Sequence, residues 1–257
     1  MRTRALKGRT AYARGLSLVI PAAFLLWWYI TTQSDQTFLP SPAEVWIVFV
    51  RFLRNGKLAA NISISAARAF GGFLIGGGIG FALGLACGLS PTAEKLLNTP
   101  VQMVRNIPFL AMMPLILIWF GIGEAAKVTL VALGVFFPIY LDTYHGIRFV
   151  DQQLLEMGRA YGMGPWKLFW NIVFPGALPS VLVGVRQGLG RMWTTLIVAE
   201  TVAANSGLGF MVTNAREYMQ LNIIVMGIVI YALLGILSDA AANTVEHFML
   251  NWRRKEA

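Results

Sequence analysis

The sequence predicts an all-α, polytopic membrane protein with about six transmembrane helices, and three observations carry that expectation. Hydrophobic residues make up 56% of the 257-residue chain and charged residues only 13%, whereas roughly a quarter of a soluble domain is charged. The apolar residues gather into runs close to the ~20 that a helix needs to cross a ~30 Å hydrocarbon core. The net charge of +9 is concentrated near the ends, at Arg2, Arg4, Lys7, Arg9 and Arg14 and again at Arg253, Arg254 and Lys255. Basic clusters flanking apolar spans follow the positive-inside pattern and are no nucleic-acid footprint. The spans use up nearly the whole chain, so one membrane domain over residues 1–257 is expected. The single Cys87 excludes an intrachain disulfide, and His145 and His247 are too isolated to form a metal pair, so no metal is expected.

Taken in order, a first span is expected over residues 16–32. A basic head before an apolar run also suits a signal peptide. Here, though, the run is longer than a signal core and no small-residue cleavage site follows it. Trp27, Trp28 and Tyr29 form an aromatic belt suited to the outer interface, so the span is expected to be retained. The Pro-rich stretch from Phe38 precedes a short amphipathic helix over residues 45–53, carrying Arg51 and Arg54 and suited to the membrane surface. The second span, residues 66–89, places Gly72, Gly76, Gly80, Gly84 and Gly88 at four-residue intervals. On a helix they form one stripe without side chains, along which a second backbone can approach closely. Packing within the chain and a seam between two copies both suit it. Arg68, near the start of this span, is expected to reach toward the interface.

Two prolines and Arg105 keep residues 96–108 from forming an uninterrupted span. A third span is expected over residues 106–123, broken or kinked by Pro108 and Pro114 and therefore facing protein or a cavity. A fourth follows over 128–146, with Asp142 near its inner end in a solvated or capping role.

Residues 151–175 interrupt the hydrophobic second half with a polar-bearing loop that reads as two short helices. Asp151 caps the first, Gly162 ends it in a left-handed turn, and Pro165 opens the second. Its Leu154, Leu155, Met157 and Tyr161 give a segment outside the bilayer apolar surface to hide, which suits a docking element. The fifth span, 178–203, is polar for a membrane helix. Helical spacing sets Arg186, Trp193 and Glu200 on one stripe, and Arg191 with Thr194, Thr195 and Val198 on another. One stripe is expected to line a path and the other to brace neighbouring helices, and periodicity leaves open which does which. Arg191 lies roughly 20 Å into the helix at ~1.5 Å per residue, a depth at which an arginine needs water or a partner. Residues 205–210 break the helix, and a sixth span covers 223–242. With both termini inside, the 151–175 loop also lies inside and most loop cations fall on that side. No G-x4-G-K-[ST] phosphate loop occurs.

Within the 151–175 loop, Glu156 is followed six residues later by Gly162, then by Ile172 and Pro175. This spacing resembles the cytoplasmic coupling loop of bacterial ABC importer permeases, whose pattern prefers alanines where this chain has Met157 and Gly158, and leucine at Phe174. The stretches Arg105–Pro108, Trp119–Glu124, Ala199–Glu200, Asn205–Gly209 and Asn214–Glu217 also resemble the group carrying sulfonates, taurine, nitrate or bicarbonate, and thiamine precursors. Within it they are most similar to aliphatic sulfonate permeases. The resemblance implies a type I importer permease fold in a bacterial inner membrane. It further implies a homodimer, two cytoplasmic ATPase subunits that hold the ATP and Mg, and an extracytoplasmic solute-binding protein. Glu156, Tyr161, Gly162, Ile172 and Pro175 would then couple to the ATPase. Arg186, Arg191, Thr194, Thr195 and Glu200 become candidates for the translocation path, and the chain itself would be no enzyme. Two other classes of protein make demands of their own. A stand-alone secondary transporter needs its own ion-coupling residues, and no inverted repeat is apparent; uptake driven by a proton gradient without an ATPase would mark it. A membrane enzyme needs a catalytic His/Asp/Glu cluster, which the sequence lacks.

Overall fold

The computed structural model describes residues 19–32 and 39–251. The basic clusters at 2–14 and 253–255, Phe38, and the first residues of the expected first span lie outside them. Among the described residues four helices are long and apolar enough to cross a membrane: α3 (Lys57–Leu89), α6 (Glu124–Arg148), α8 (Pro165–Val202) and α10 (Leu221–Met249). Two shorter apolar helices accompany them, α1 (Val19–Thr31) and α5 (Phe109–Phe120). The other helices of seven or more residues are α2 (Pro42–Arg54), α4 (Thr99–Arg105), α7 (Gln152–Ala160) and α9 (Leu208–Glu217).

Helix α6 is central, with α3 along one side and α8 along another. The α3–α6 approach follows the glycine stripe. A Cβ at Gly76 would lie 2.0 Å from the Ala132 carbonyl oxygen, one at Gly80 2.6 Å from that of Phe136, and one at Gly84 2.7 Å from that of Tyr140. Gly72 and Gly88 meet the Val131 and Ile147 side chains at 2.6 and 2.8 Å. The stripe therefore faces a helix of the same chain. Lipid offers no hydrophobic drive for helix association, so dispersion between closely packed backbones holds this pair.

Helix α2 starts with a capping box. The Ser41 hydroxyl accepts from the Glu44 N–H, the Glu44 carboxylate accepts from the Ser41 N–H, and Pro42 occupies the first turn. Its Val45 and Val48 are buried against Leu58, Leu208, Met211, Met226 and Ile230. The expected surface helix is thus bolted to the bundle on one face, while Trp46 and Ile47 stay exposed.

The expected third span is shorter than anticipated. Helix α5 has 12 residues, ~18 Å at ~1.5 Å per residue. Pro108 sets its start and Gly121, at φ 73°, its end. Nor do prolines break the chain where a local rule places the break. Residues 91–105 stay helical through a π turn at Glu94–Asn98, just before Pro100. The expected second short helix of the 151–175 loop is no separate element either. It runs from Pro165 through a π turn at Phe169–Val173 into the rest of α8, with Pro175 directly after the wide turn. A π turn shifts the hydrogen-bond register where proline lacks its N–H, so the helix continues.

Candidate translocation cavity and coupling helix

Small residues on α6 and α8 set the distance between these two helices. A Cβ on Gly134 would meet Thr195 Cγ2 at 2.3 Å, and one on Gly184 would meet Asp142 Cβ at 2.9 Å. Beside this seam lies a cavity of about 770 Å3, closed on its other side by the α4–α5 junction and lined there by Arg105, Asn106 and Phe109. From α8 it receives Gln187, Arg191, Thr194 and Thr195, and from α6 Asp142.

Of the two α8 stripes, the one bearing Arg191 faces the cavity. The Thr194 and Thr195 hydroxyls each donate to the Arg191 carbonyl at 2.9 Å. Their protons are thereby used, and they offer the cavity acceptor oxygens rather than donors. The donors come from Arg105, Arg191 and Gln187, whose Nε2 donates to Asp142 Oδ2 at 3.0 Å. Arg105, Arg191 and Asp142 make no ion pair among the described residues.

The other stripe braces helices. The Glu200 side chain is fully buried. It accepts from Arg68 Nη1 at 2.8 Å, from the Ser65 hydroxyl at 2.8 and 2.9 Å, from the Gly209 N–H at 2.8 Å and from the Tyr231 hydroxyl at 3.2 Å. Arg68 also forms a two-pronged bond to Glu124, both contacts at 2.6 Å, and Lys127 joins Glu124 at 2.7 Å. Arg68 is itself buried, and its charge is met by the buried Glu200 on one side and, on the other, by Glu124, which stands exposed at the start of α6. Trp193 donates to the Ser238 hydroxyl at 2.8 Å, and Arg186 pairs with Asp239 at 2.6 Å and approaches Glu246 at 3.9 Å. Arg186 and Glu200 do not line the cavity. Conversely, Arg105, Asn106, Asp142 and Gln187 line it and were not among the path candidates. Gln187 lies one turn before Arg191 on the same face, which helical spacing could have flagged, whereas Arg105 reaches the cavity from a separate element.

The 151–175 loop is built around the turn after α7. Asp151 caps α7 through the Gln153 N–H at 2.9 Å. At the other end Gly162 has φ 73°, its N–H donates to the Arg159 carbonyl at 2.9 Å, and the Met163 N–H donates to the Gly158 carbonyl at 3.0 Å. This is a Schellman closure, in which a left-handed residue lets the chain satisfy the last carbonyls. A Cβ at Gly162 would meet nothing within 4 Å, so the glycine answers to φ and not to space. Gly158 is different: a Cβ there would sit 2.6 Å from the Cδ1 atoms of both Ile172 and Leu168. Ile172 thereby locks α7 onto the start of α8, with Pro175 half-buried one turn further on. Leu155 turns inward to the cluster of Ile147, Val150, Val173 and Ala177, so it is not part of the outward apolar surface. Leu154, Glu156, Met157 and Tyr161 remain exposed.

A bundle of membrane-crossing helices with a cavity edged by charged side chains, carrying a capped helix on its surface, suits a transport permease. A family model described as "binding-protein-dependent transport system inner membrane component" matches residues 78–250, and the chain belongs to that family. It is 48% identical to the putative aliphatic sulfonates transport permease of Escherichia coli strain K12, over 91% of this chain and 90% of that one. It is 37% identical to the like-named permease of Bacillus subtilis strain 168, over 96% and 90%, and 32% identical to the taurine transport system permease of Escherichia coli, over 98% and 95%. Among solved structures, an amino acid ABC transporter matches with a TM-score of 0.65 at 16% identity, over 78% of this chain and 97% of that one. The chain is a multi-pass ABC importer permease subunit.

Proposed function

We propose that this subunit forms the path by which aliphatic sulfonates, or small organic anions of that class, cross the bacterial inner membrane. It works as a single permease domain paired with a second copy. Two cytoplasmic ATP-binding subunits hydrolyse ATP with Mg, and an extracytoplasmic solute-binding protein delivers the anion. Both termini face the cytoplasm, and so does α7, which presents Glu156 and Tyr161 to the ATPase while Gly162, Ile172 and Pro175 fix its angle to α8.

The observation that carries this reading is Arg191: an exposed arginine about two-thirds of the way along a membrane-crossing helix, without an ion pair among the described residues and facing a cavity of about 770 Å3. Such a charge is costly in lipid and tolerable beside water or an anion. Its guanidinium offers a sulfonate paired donors, and the Arg105 charge adds to the attraction. The identity to sulfonate permeases over nine-tenths of the chain supports the same substrate class. Contact between α7 and an ATPase is supported by its exposed apolar side chains and by the helical continuity from Pro165 to Val202, which gives a rigid route from α7 to Arg191. Nucleotide drives transport here only by binding the outward- and inward-facing states unequally.

The test is Arg191→Gln in proteoliposomes containing the complete transporter and its binding protein. Alkanesulfonate uptake should fall about tenfold while assembly and basal ATP hydrolysis are retained. Unchanged uptake would remove Arg191 from the path.

A further inference from the structure

Several charges elsewhere on the long helices are matched. Arg68 and Lys127 meet Glu124 and Glu200, Arg186 meets Asp239, and Arg148 meets Glu94 at 3.4 Å. The cavity differs: its two arginines, Arg105 and Arg191, and its one carboxylate, Asp142, make no salt bridge among the described residues, and only His145, on the same helix, acts on Asp142 electrostatically. An acidic group inside a path for anions opposes its cargo unless the opposition itself is useful. Asp142 is also positioned with some care. Gln187, one helical turn before Arg191, donates to its Oδ2, and Gly184 leaves the space that Asp142 occupies beside α8.

From this juxtaposition we propose that Asp142 is a specificity-determining residue that tunes the cavity to singly charged anions. The inference rests on reading the cavity as the anion path. Two guanidinium groups and one carboxylate leave a fixed charge of one positive unit, which a single sulfonate neutralises. A cargo with two negative charges must bring the second into the field of the carboxylate, beside protein walls that weaken solvent screening. Such repulsion rejects divalent anions without weakening the arginine contacts to monovalent ones. Gln187 is a positioning residue in this scheme: its amide occupies one carboxylate oxygen and holds the group toward the α6–α8 seam.

The experiment compares ethanesulfonate with ethane-1,2-disulfonate, which share a carbon skeleton and differ in charge. Binding of each to the purified complete transporter, without the solute-binding protein, is measured by isothermal titration. The wild type should favour the monoanion. Asp142→Asn should shift the ratio of the two dissociation constants toward the dianion by about tenfold, as expected for removal of one unit charge several ångströms away in a partly wet site. Asp142→Glu, which keeps the charge, should hold the wild-type ratio. A ratio unmoved by Asp142→Asn overturns the charge filter, as does an equal shift with Asp142→Glu, which would mark a packing role. Failure of the underlying reading has a different signature: Arg191→Gln would leave the binding of both anions unchanged.

Discussion

Two clusters of charge in this protein are built from the same residue types and arranged in opposite ways. Around Glu200, an arginine, a lysine and two carboxylates from α3, α6 and α8 satisfy one another, and the Arg68 and Glu200 side chains are 4% and 0% exposed. Around Arg191, two arginines and a carboxylate line a cavity about 770 Å3 in volume without pairing. Both lie on elements that must live in a membrane, where an unsatisfied charge is expensive. The first cluster meets that cost with internal partners and so serves the fold. The second keeps its charges available, which is useful only for something that enters and leaves. Structural and functional charge are separated here by partnering, since composition and depth in the sequence are much alike.

The comparison can be broken most forcefully at the first cluster. Glu200→Gln leaves Arg68 buried with only Glu124, and Arg68→Met leaves Glu200 buried without its cation. Arg68→Met should cost about 3–5 kcal/mol, the usual penalty for orphaning a buried charge, and Glu200→Gln less, because Arg68 keeps its two bonds to Glu124. Thermal unfolding in detergent should show either variant well below the wild type, and a double change to Met and Gln should recover part of the loss. A variant with wild-type stability would show the network to be dispensable.

Gly80→Leu tests whether the frame around both clusters depends on backbone approach. A side chain there would enter 2.6 Å from a carbonyl oxygen, an overpacking that costs typically about 1–3 kcal/mol. Leu74→Ala on the exposed side of the same helix should stay within about 0.5 kcal/mol. Equal melting temperatures for the two would refute the packing role of the stripe.

Gly162→Val concerns the route from α7 to the cavity. Forcing a β-branched residue to φ 73° costs about 1–2 kcal/mol and is expected to open the turn. Membrane insertion should survive, while coupling of ATP hydrolysis to uptake is lost; full coupling in reconstituted transporter would count against the assignment. The smallest effect on stability should come from Arg191→Gln. Removing a charge with no partner should change stability by less than about 0.5 kcal/mol, even though the same variant slows uptake. A marked drop in its melting temperature would erase the contrast between the two clusters.

Much of this architecture is legible locally. The long apolar helices, the glycine stripe, the Asp151 cap and the left-handed Gly162 follow from periodicity and backbone sterics, which act over a few residues. The Glu156–Gly162–Ile172–Pro175 spacing likewise stands out without coordinates. Proline was the misleading local signal. Pro108 together with Gly121 shortened α5 below a full span, whereas Pro100 and Pro175 were absorbed by π turns. A lone proline indicates that one hydrogen bond is missing, and only the surroundings determine how the helix repairs it.

What the sequence determined by itself was the set of membrane helices, the two candidate stripes on α8 and the family-like loop. These are properties of short windows read against the geometry of one helix. Only the tertiary structure decided that Arg191 faces the cavity while Arg186 and Glu200 do not, that Arg68 is buried, and that Asp142 shares a cavity with two arginines. Ser65 and Glu200, which meet at 2.8 Å, are far apart along the chain and carry no pattern linking them. Their meeting depends on the rotation and depth of one helix against another, set by the sum of many small contacts along α3, α6 and α8. Helical period limits which residues share a face; packing chooses what that face sees.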